Sequence, residues 1–211
     1  MEGQTPQEGL VDPLLAAEFP GLRLRWLTVR ARPGPSPPAL RHRLRDLSNR
    51  YRGANVVSMR TKAVPQAFRA FFRQIGLDPD ARRIPAEEVA VARLVQGGFH
   101  SVDLIADACL VALIETGVPV WALDAERVDS ALLGIRVADR PAPGALVVGD
   151  AEAVCGALFE DPVPERAVGP RTRAVTLFAV AVAGVPEIHI EEALWCAAGL
   201  LRPDSGGRGG S

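Results

Sequence analysis

Two acidic side chains on one predicted helix are the groups in this sequence best suited to acid–base chemistry. Asp103 and Asp107 stand four residues apart, so a helix brings them to the same face. The surrounding segment is apolar, where a carboxylate is unfavourable unless it has a partner. Asp103 has a structural explanation, because an acid in the first turn after a Ser101 cap is stabilised by backbone N–H groups. Asp107 is predicted to lie mid-helix and is either an acid–base group or a hydrogen-bond anchor.

His100 directly precedes this helix, where its ring can reach the helix N-terminus or an adjacent pocket. Histidine titrates near neutral pH, although a lone histidine is more often structural. His42 and His189 are far away in the sequence and form no metal-binding pattern with it. The chain has no H-E-x-x-H motif, phosphate loop, dinucleotide glycine fingerprint or G-x-S-x-G elbow. We therefore expect no metal and no cofactor.

The basic residues are concentrated in one third of the chain. The formal net charge is −1, yet thirteen arginines and lysines lie between Pro20 and Arg73, with Asp46 as the one acid among them. Arginine clusters are typical of phosphate binding. Because Lys62 is the single lysine of the chain, the pattern also fits a general preference for arginine on a solvated face. The candidate RNA-binding residues lie on one predicted basic helix: Arg41, Arg43, Arg45, Arg50 and Arg52.

Hydropathy and turn residues predict one α/β (α+β) domain over residues 11–203, with a mixed β-sheet and packed helices. Its basic part covers 20–73 and its core 85–201, and both ends, 1–10 and 204–211, are predicted to be disordered. The predicted helices are 38–52, 64–77, 85–98, 101–117 and 190–201. The predicted strands are 22–29, 118–123, 132–138, 145–149 and 174–183, with a further one at 153–159.

The compartment is predicted from what the sequence lacks. No secretory signal is found, and no apolar run approaches the roughly 20 residues of a membrane helix. The three cysteines are far apart, without metal-ligand spacing, and fit small buried hydrophobes. We expect a cytoplasmic protein with no membrane contact.

Residues 100–146 carry an ordered set of motifs that resembles a known family. Val102-Asp103 begins a helix, a Gly-x-Pro turn follows at 117–119, Trp-Ala-Leu-Asp ends a strand at 121–124, and Ile-Arg-Val-Ala forms the next strand at 135–138. This order resembles the B3/B4 domain of the phenylalanyl-tRNA synthetase beta subunit, its tRNA-editing module. Weaker similarity extends over most of residues 12–201. The resemblance implies a B3/B4-like fold.

The family's activity implies a first interpretation, a protein that binds tRNA or other RNA and hydrolyses mischarged aminoacyl-tRNA in trans. The basic part then holds RNA, without specificity for DNA, and a pocket between the central helix and the sheet holds the aminoacyl group. His100 and Asp107 position the attacking water, and Arg93 contacts a phosphate or carboxyl group. The other substrate-binding residues of this interpretation are Asp103, Trp121, Asp124, Thr172 and Thr176. Threonines are also ordinary strand residues, and that structural explanation is favoured for the last two.

Three departures from the family pattern lead to a second interpretation. Trp121 stands where the family has histidine, Ala106 where it has asparagine, and Phe178 where it has glutamate. Loss of positioned polar groups reduces hydrolysis by orders of magnitude. The alternative is a non-catalytic module that binds an amino-acid-like ligand or a protein partner, with Trp121 as an apolar wall for a ligand ring. The two interpretations differ in the polar groups expected in the pocket. A pocket in which no polar groups converge favours binding over catalysis.

Overall fold

Six α-helices and eight β-strands make up the part of the chain that the computed structural model describes, residues 5–51, 59–138 and 145–202. The helices are α1 (Pro13–Glu18), α2 (Pro38–Arg50), α3 (Ala63–Gln74), α4 (Pro85–Gln96), α5 (Leu104–Thr116) and α6 (Glu187–Leu201). The strands are β1 (Gln7–Glu8), β2 (Leu10–Val11), β3 (Arg23–Arg30), β4 (Val120–Asp124), β5 (Gly134–Val137), β6 (Leu146–Gly149), β7 (Val154–Ala157) and β8 (Ala174–Ala181). The predicted mixed α and β class is confirmed.

The first sheet is antiparallel throughout and has the strand order β1-β3-β8-β4. Its centre is the β3–β8 pair, which runs over eight residues from Arg23 opposite Ala181 to Arg30 opposite Ala174. β8 is buried along nearly its whole length, because it is flanked by strands on both edges and α6 packs against the sheet. This continuous apolar strand explains why hydropathy predicted it well.

The second sheet has the order β2-β5-β6-β7, in which β2 is parallel to β5 and the other neighbours are antiparallel. Residues 5–10 are ordered where the sequence predicts disorder, since β1 joins the first sheet and β2 the second. Gly9 separates the two strands, and a Cβ there would lie 2.5 Å from Leu24 Cδ2 and 2.8 Å from the Leu133 carbonyl oxygen. Only glycine permits the chain to pass between the sheets at this point.

Aromatic side chains fill the core near α3. Phe68, Phe71 and Phe72 are almost fully buried and each packs against Phe159. These phenylalanines therefore belong to the hydrophobic core. None of the described helices is both long enough and apolar enough to cross a membrane. The predicted tail, 204–211, lies outside the described residues.

A buried ion pair joins α3 to α4. Arg69 Nη1 donates to both carboxylate oxygens of Glu87 at 3.0 and 2.9 Å, and Nη2 donates to Asp80 at 2.7 Å. Arg69 and Glu87 are 6% and 3% exposed. Arg69, which belongs to the basic part of the sequence, therefore stabilises the fold and is not on a surface that could face RNA.

Removing one charge of this pair should destabilise the protein. Glu87→Gln removes the buried charge opposite Arg69 and leaves that guanidinium with the more exposed Asp80 carboxylate as its charged partner. We expect the free energy of unfolding to fall by about 3 kcal/mol, measured by urea denaturation at neutral pH. The double variant Arg69→Met, Glu87→Leu removes both charges and should lose less than the single variant. Equal losses in the two variants would contradict the ion-pair explanation.

Candidate functional site

The N-terminus of α5 is capped by Asp103. Its carboxylate accepts hydrogen bonds from the backbone N–H groups of Ile105 and Ala106 at 2.8 and 2.9 Å. The prediction that Ser101 is the cap is wrong, because the helix begins later, at Leu104. Asp103 therefore satisfies two free donors of the first turn, a structural task that needs no ligand.

Asp107 is 1% exposed and is surrounded by donors. It lies in the first turn of α5, not in the middle of the helix as predicted. Its carboxylate accepts hydrogen bonds from the Ser36 and Ser101 hydroxyls and, at 2.9 Å, from the Val102 backbone N–H. Asp107 thus ties the β3–α2 connection and the segment before α5 to the buried helix. Of the two explanations that the sequence left open, the geometry is that of a hydrogen-bond anchor.

His100 and Arg93 make their hydrogen bonds elsewhere. The exposed His100 ring bonds through Nε2 with the Gln96 carbonyl at the end of α4, at 3.2 Å. Arg93 donates twice to the Ser48 carbonyl in the last turn of α2, at 3.2 and 2.7 Å, where the negative end of the helix dipole favours a cation. His100 and Asp107 were predicted to position one water together. In the structure each of them makes its hydrogen bonds to other groups.

Asp124 and Thr172 form a second buried anchor, with 5% and 2% exposure. The Thr172 hydroxyl donates to Asp124 at 2.7 Å, and the same carboxylate accepts from the Glu126 backbone N–H at 3.0 Å. Thr176 is fully buried, and its hydroxyl lies 3.0 Å from that of Thr28 on β3. These groups hold the ends and the middle of the first sheet together.

Trp121 belongs to the core. It is 9% exposed, and its ring stacks on Phe178 with centroids 5.5 Å apart and lies 6.0 Å from Phe159. Trp121 on β4 and Phe178 on β8 thus stack on each other across the two strands. An apolar pair at this place in β4 and β8 fills the interior instead of lining a ligand pocket.

A cleft of about 860 Å³ opens at one end of the first sheet. The ends of β3 and β8, the first turns of α2 and α5 and the last turn of α6 surround it. Its charged lining residues are Arg30, Arg32, Arg173, Arg202 and one acid, Glu126. Its remaining lining residues are small or apolar: Ala31, Pro37, Ala39, Leu40, Leu104, Ala174, Gly199, Leu200 and Leu201.

The side chains of the four cleft arginines are exposed to solvent. Within the described ranges, none of their guanidinium groups forms an ion pair or hydrogen bond with the protein. Other arginines, such as Arg43, Arg69 and Arg166, pair with carboxylates. The cleft therefore concentrates positive charge in a concave surface, which strengthens the local field.

The first turn of α2 adds donors to the same cleft. Pro37 is the N-cap residue and provides no side-chain hydrogen bond to the helix. The backbone N–H groups of Ala39 and Leu40, both at the cleft, belong to the free donors of this first turn. They lie at the positive end of the helix dipole, which favours an anion.

The predicted RNA-binding arginines of α2 divide into two groups. Arg41 and Arg45 are exposed and one turn apart, so they share a face. Arg43 donates to both oxygens of Glu115, at 3.0 and 2.6 Å. Arg50 donates to the Asp46 carbonyl, and Arg52 lies outside the described residues. The basic face of the helix is therefore formed by Arg41 and Arg45, next to the cleft residue Leu40.

The cysteines are poor nucleophiles. Burial raises the pKa of Cys109 to about 12 and that of Cys196 to about 11, with nearby carboxylates adding to the effect. Both thiols are protonated at neutral pH, and a thiol is much less reactive than a thiolate. Among the described residues, no group of three or more histidine, cysteine or acidic side chains could hold a metal ion.

The sequence alone did not reveal the arginine cleft, although its parts are visible there. Arg30 and Arg32 belong to the basic third, and Arg173 follows the candidate Thr172. Their meeting with Arg202 depends on the β3–β8 register and on where α6 ends. The sequence matches no protein-family model and no curated protein.

Replacing the Asp107 and Asp103 carboxylates by amides should show that the first contributes more to stability than the second. Asp107→Asn places an NH₂ group against donors, and we expect a loss of about 2 kcal/mol in the free energy of unfolding. Asp103→Asn keeps a good N-cap and should change it by less than about 0.5 kcal/mol. Urea denaturation of both variants measures the difference. Wild-type stability of Asp107→Asn would argue against the anchor.

Proposed function

We propose that this protein binds RNA without hydrolysing aminoacyl-tRNA, and that the arginine cleft is where it holds the phosphates. The observation that carries the proposal is a set of four guanidinium groups around one concave surface, none of which has a partner among the described residues: Arg30, Arg32, Arg173 and Arg202. Unpaired arginines are free to bind phosphate oxygens bidentately and to release counterions from RNA. Arg41 and Arg45 extend this positive surface along α2.

The proposal favours binding over hydrolysis because of what surrounds the predicted water-positioning groups. Asp107 is buried with its oxygens engaged by three donors, and His100 faces solvent and bonds to α4. Trp121 and Phe178, at the places of the family's histidine and glutamate, stack in the core. A general base has to reach the water or the proton that it moves.

The resemblance to the B3/B4 editing module agrees with this proposal. A B3/B4-like fold whose polar editing groups are replaced by apolar ones would keep its association with tRNA after losing its hydrolytic activity. Fold is retained more readily than chemistry. tRNA is accordingly the RNA that we propose to test first.

Removal of cleft arginines should weaken RNA binding and its dependence on salt. The double variant Arg32→Ala, Arg173→Ala should lower the affinity for fluorescently labelled tRNA at least tenfold. The slope of log K against log salt should become shallower by about 0.7 to 0.9 for each phosphate that the variant no longer neutralises. Fluorescence anisotropy over a series of salt concentrations measures both quantities.

Matched controls come from arginines outside the cleft. Arg83 is exposed and lines a different surface cleft with acidic neighbours. The double variant Arg73→Ala, Arg83→Ala removes the same charge as the cleft variant and should bind like the wild type. Equal weakening by both pairs would show a general charge effect and would contradict the cleft. Release of amino acid from charged tRNA in the same samples would restore the hydrolytic interpretation.

A further inference from the structure

One carboxylate lines the arginine cleft. Glu126 follows β4 and is the acid among the described residues of the cleft wall, which it shares with Arg30, Arg32, Arg173 and Arg202. Its side chain is exposed to solvent. A carboxylate repels phosphates. An acid in this place therefore weakens the binding of any ligand that presents phosphates alone.

Glu126 does not neutralise the arginines beside it. Within residues 5–51, 59–138 and 145–202, its carboxylate forms no ion pair and accepts no hydrogen bond. The next residue, Arg127, contacts the buried Asp124 carboxylate instead, at 3.6 Å. An acceptor and several guanidinium donors thus line the same space without satisfying one another.

The backbone of Glu126 is fixed at this place. Its N–H donates to Asp124 Oδ1 at 3.0 Å, and the Ala125 N–H donates to the Ala174 carbonyl at 3.0 Å. Ala174 is the first residue of β8 and directly follows Arg173. Hydrogen bonds therefore hold the turn that carries the acid against the strand end that carries an arginine.

We propose that Glu126 accepts a hydrogen bond from the 2′-hydroxyl of a ribose whose phosphate lies on the cleft arginines. This inference rests on the proposed RNA binding and makes Glu126 the residue that selects RNA over DNA. The 2′-hydroxyl is the group by which a protein distinguishes the two nucleic acids. An acidic side chain is a known partner of ribose hydroxyls in nucleotide sites.

A ribonucleotide has a partner for both kinds of group in the cleft. Its phosphate accepts hydrogen bonds from guanidinium groups, and its 2′-hydroxyl donates to a carboxylate, which at neutral pH only accepts. A deoxyribose places a C–H group against the same carboxylate, which then loses water without gaining a donor. Sites built around a hydrogen bond reject an analogue that lacks it.

The test compares three labelled uridine oligonucleotides of equal length that differ at the 2′ position: ribose, deoxyribose and 2′-fluoro. The 2′-fluoro sugar keeps a ribose-like pucker but has no 2′ donor, so it separates hydrogen bonding from sugar shape. The wild-type protein should bind the ribose strand about tenfold more tightly than the other two, because hydrogen bonds to charged groups are the stronger kind. Fluorescence anisotropy at one salt concentration measures the three affinities.

Glu126→Ala should bring the three affinities close to one another. Loss of the negative charge tightens binding of the deoxyribose and 2′-fluoro strands, whereas the ribose strand gains less because it also loses a hydrogen bond. Glu126→Gln keeps an oxygen that accepts and should retain a preference of about threefold. Glu88→Ala is the matched control, since Glu88 is exposed and lines a different cleft, and it should keep the wild-type ratio.

The ratio of affinities separates this inference from the proposed function. Equal tightening of all three strands by Glu126→Ala would show that the carboxylate only repels phosphates, and would overturn the inference. Equal binding of the three strands by the wild type, with weakened binding in the Arg32→Ala, Arg173→Ala variant, also overturns it and leaves the phosphate cleft. Absence of binding to every strand by the wild-type protein overturns both proposals.

Discussion

The pairing of β3 with β8 is the constraint on which the remaining structure depends. Eight consecutive residue pairs fix the register of the central strands, and the buried Thr28–Thr176 hydroxyl contact lies inside it. Because successive side chains of a strand alternate between faces, a shift of one residue would separate the Thr28 and Thr176 hydroxyls. The same register brings Arg30 and Arg173 to one end of the sheet, so the cleft is a consequence of the pairing that forms the core.

The buried carboxylates of Asp107 and Asp124 hold the backbone around the cleft in place but do not line it. Asp107 binds Ser36 in the connection between β3 and α2, and that connection carries Arg32 and Pro37 to the cleft wall. Asp124 and Thr172 likewise fix the turn that holds Glu126 and the loop that precedes Arg173. These acids are separated from solvent, and their influence on a ligand passes through the backbone that they hold in place.

Prediction from the sequence succeeded where the signal is local and failed where it depends on distant contacts. The apolar pattern of α5 and β8 is contained within each segment, and both elements were predicted within a few residues. Asp107 was singled out correctly as unusual, but its partner Ser36 is 71 residues away, so the sequence left the choice between base and anchor open. The cleft brings Arg30 close to Arg202. These residues are too far apart in the sequence for their spacing to predict this. The strands at residues 7–11 are too short to show periodicity.

The position of Gly9 between the two sheets has a consequence for how the domain unfolds. Two residues before this glycine pair with the first sheet and two after it pair with the second, and the backbone between them donates to Leu24 and Leu133, one on each side. Neither sheet can move away from the other without breaking at least one of these two short pairings. The two sheets should therefore lose their structure in one cooperative transition, in the manner of a single folding unit.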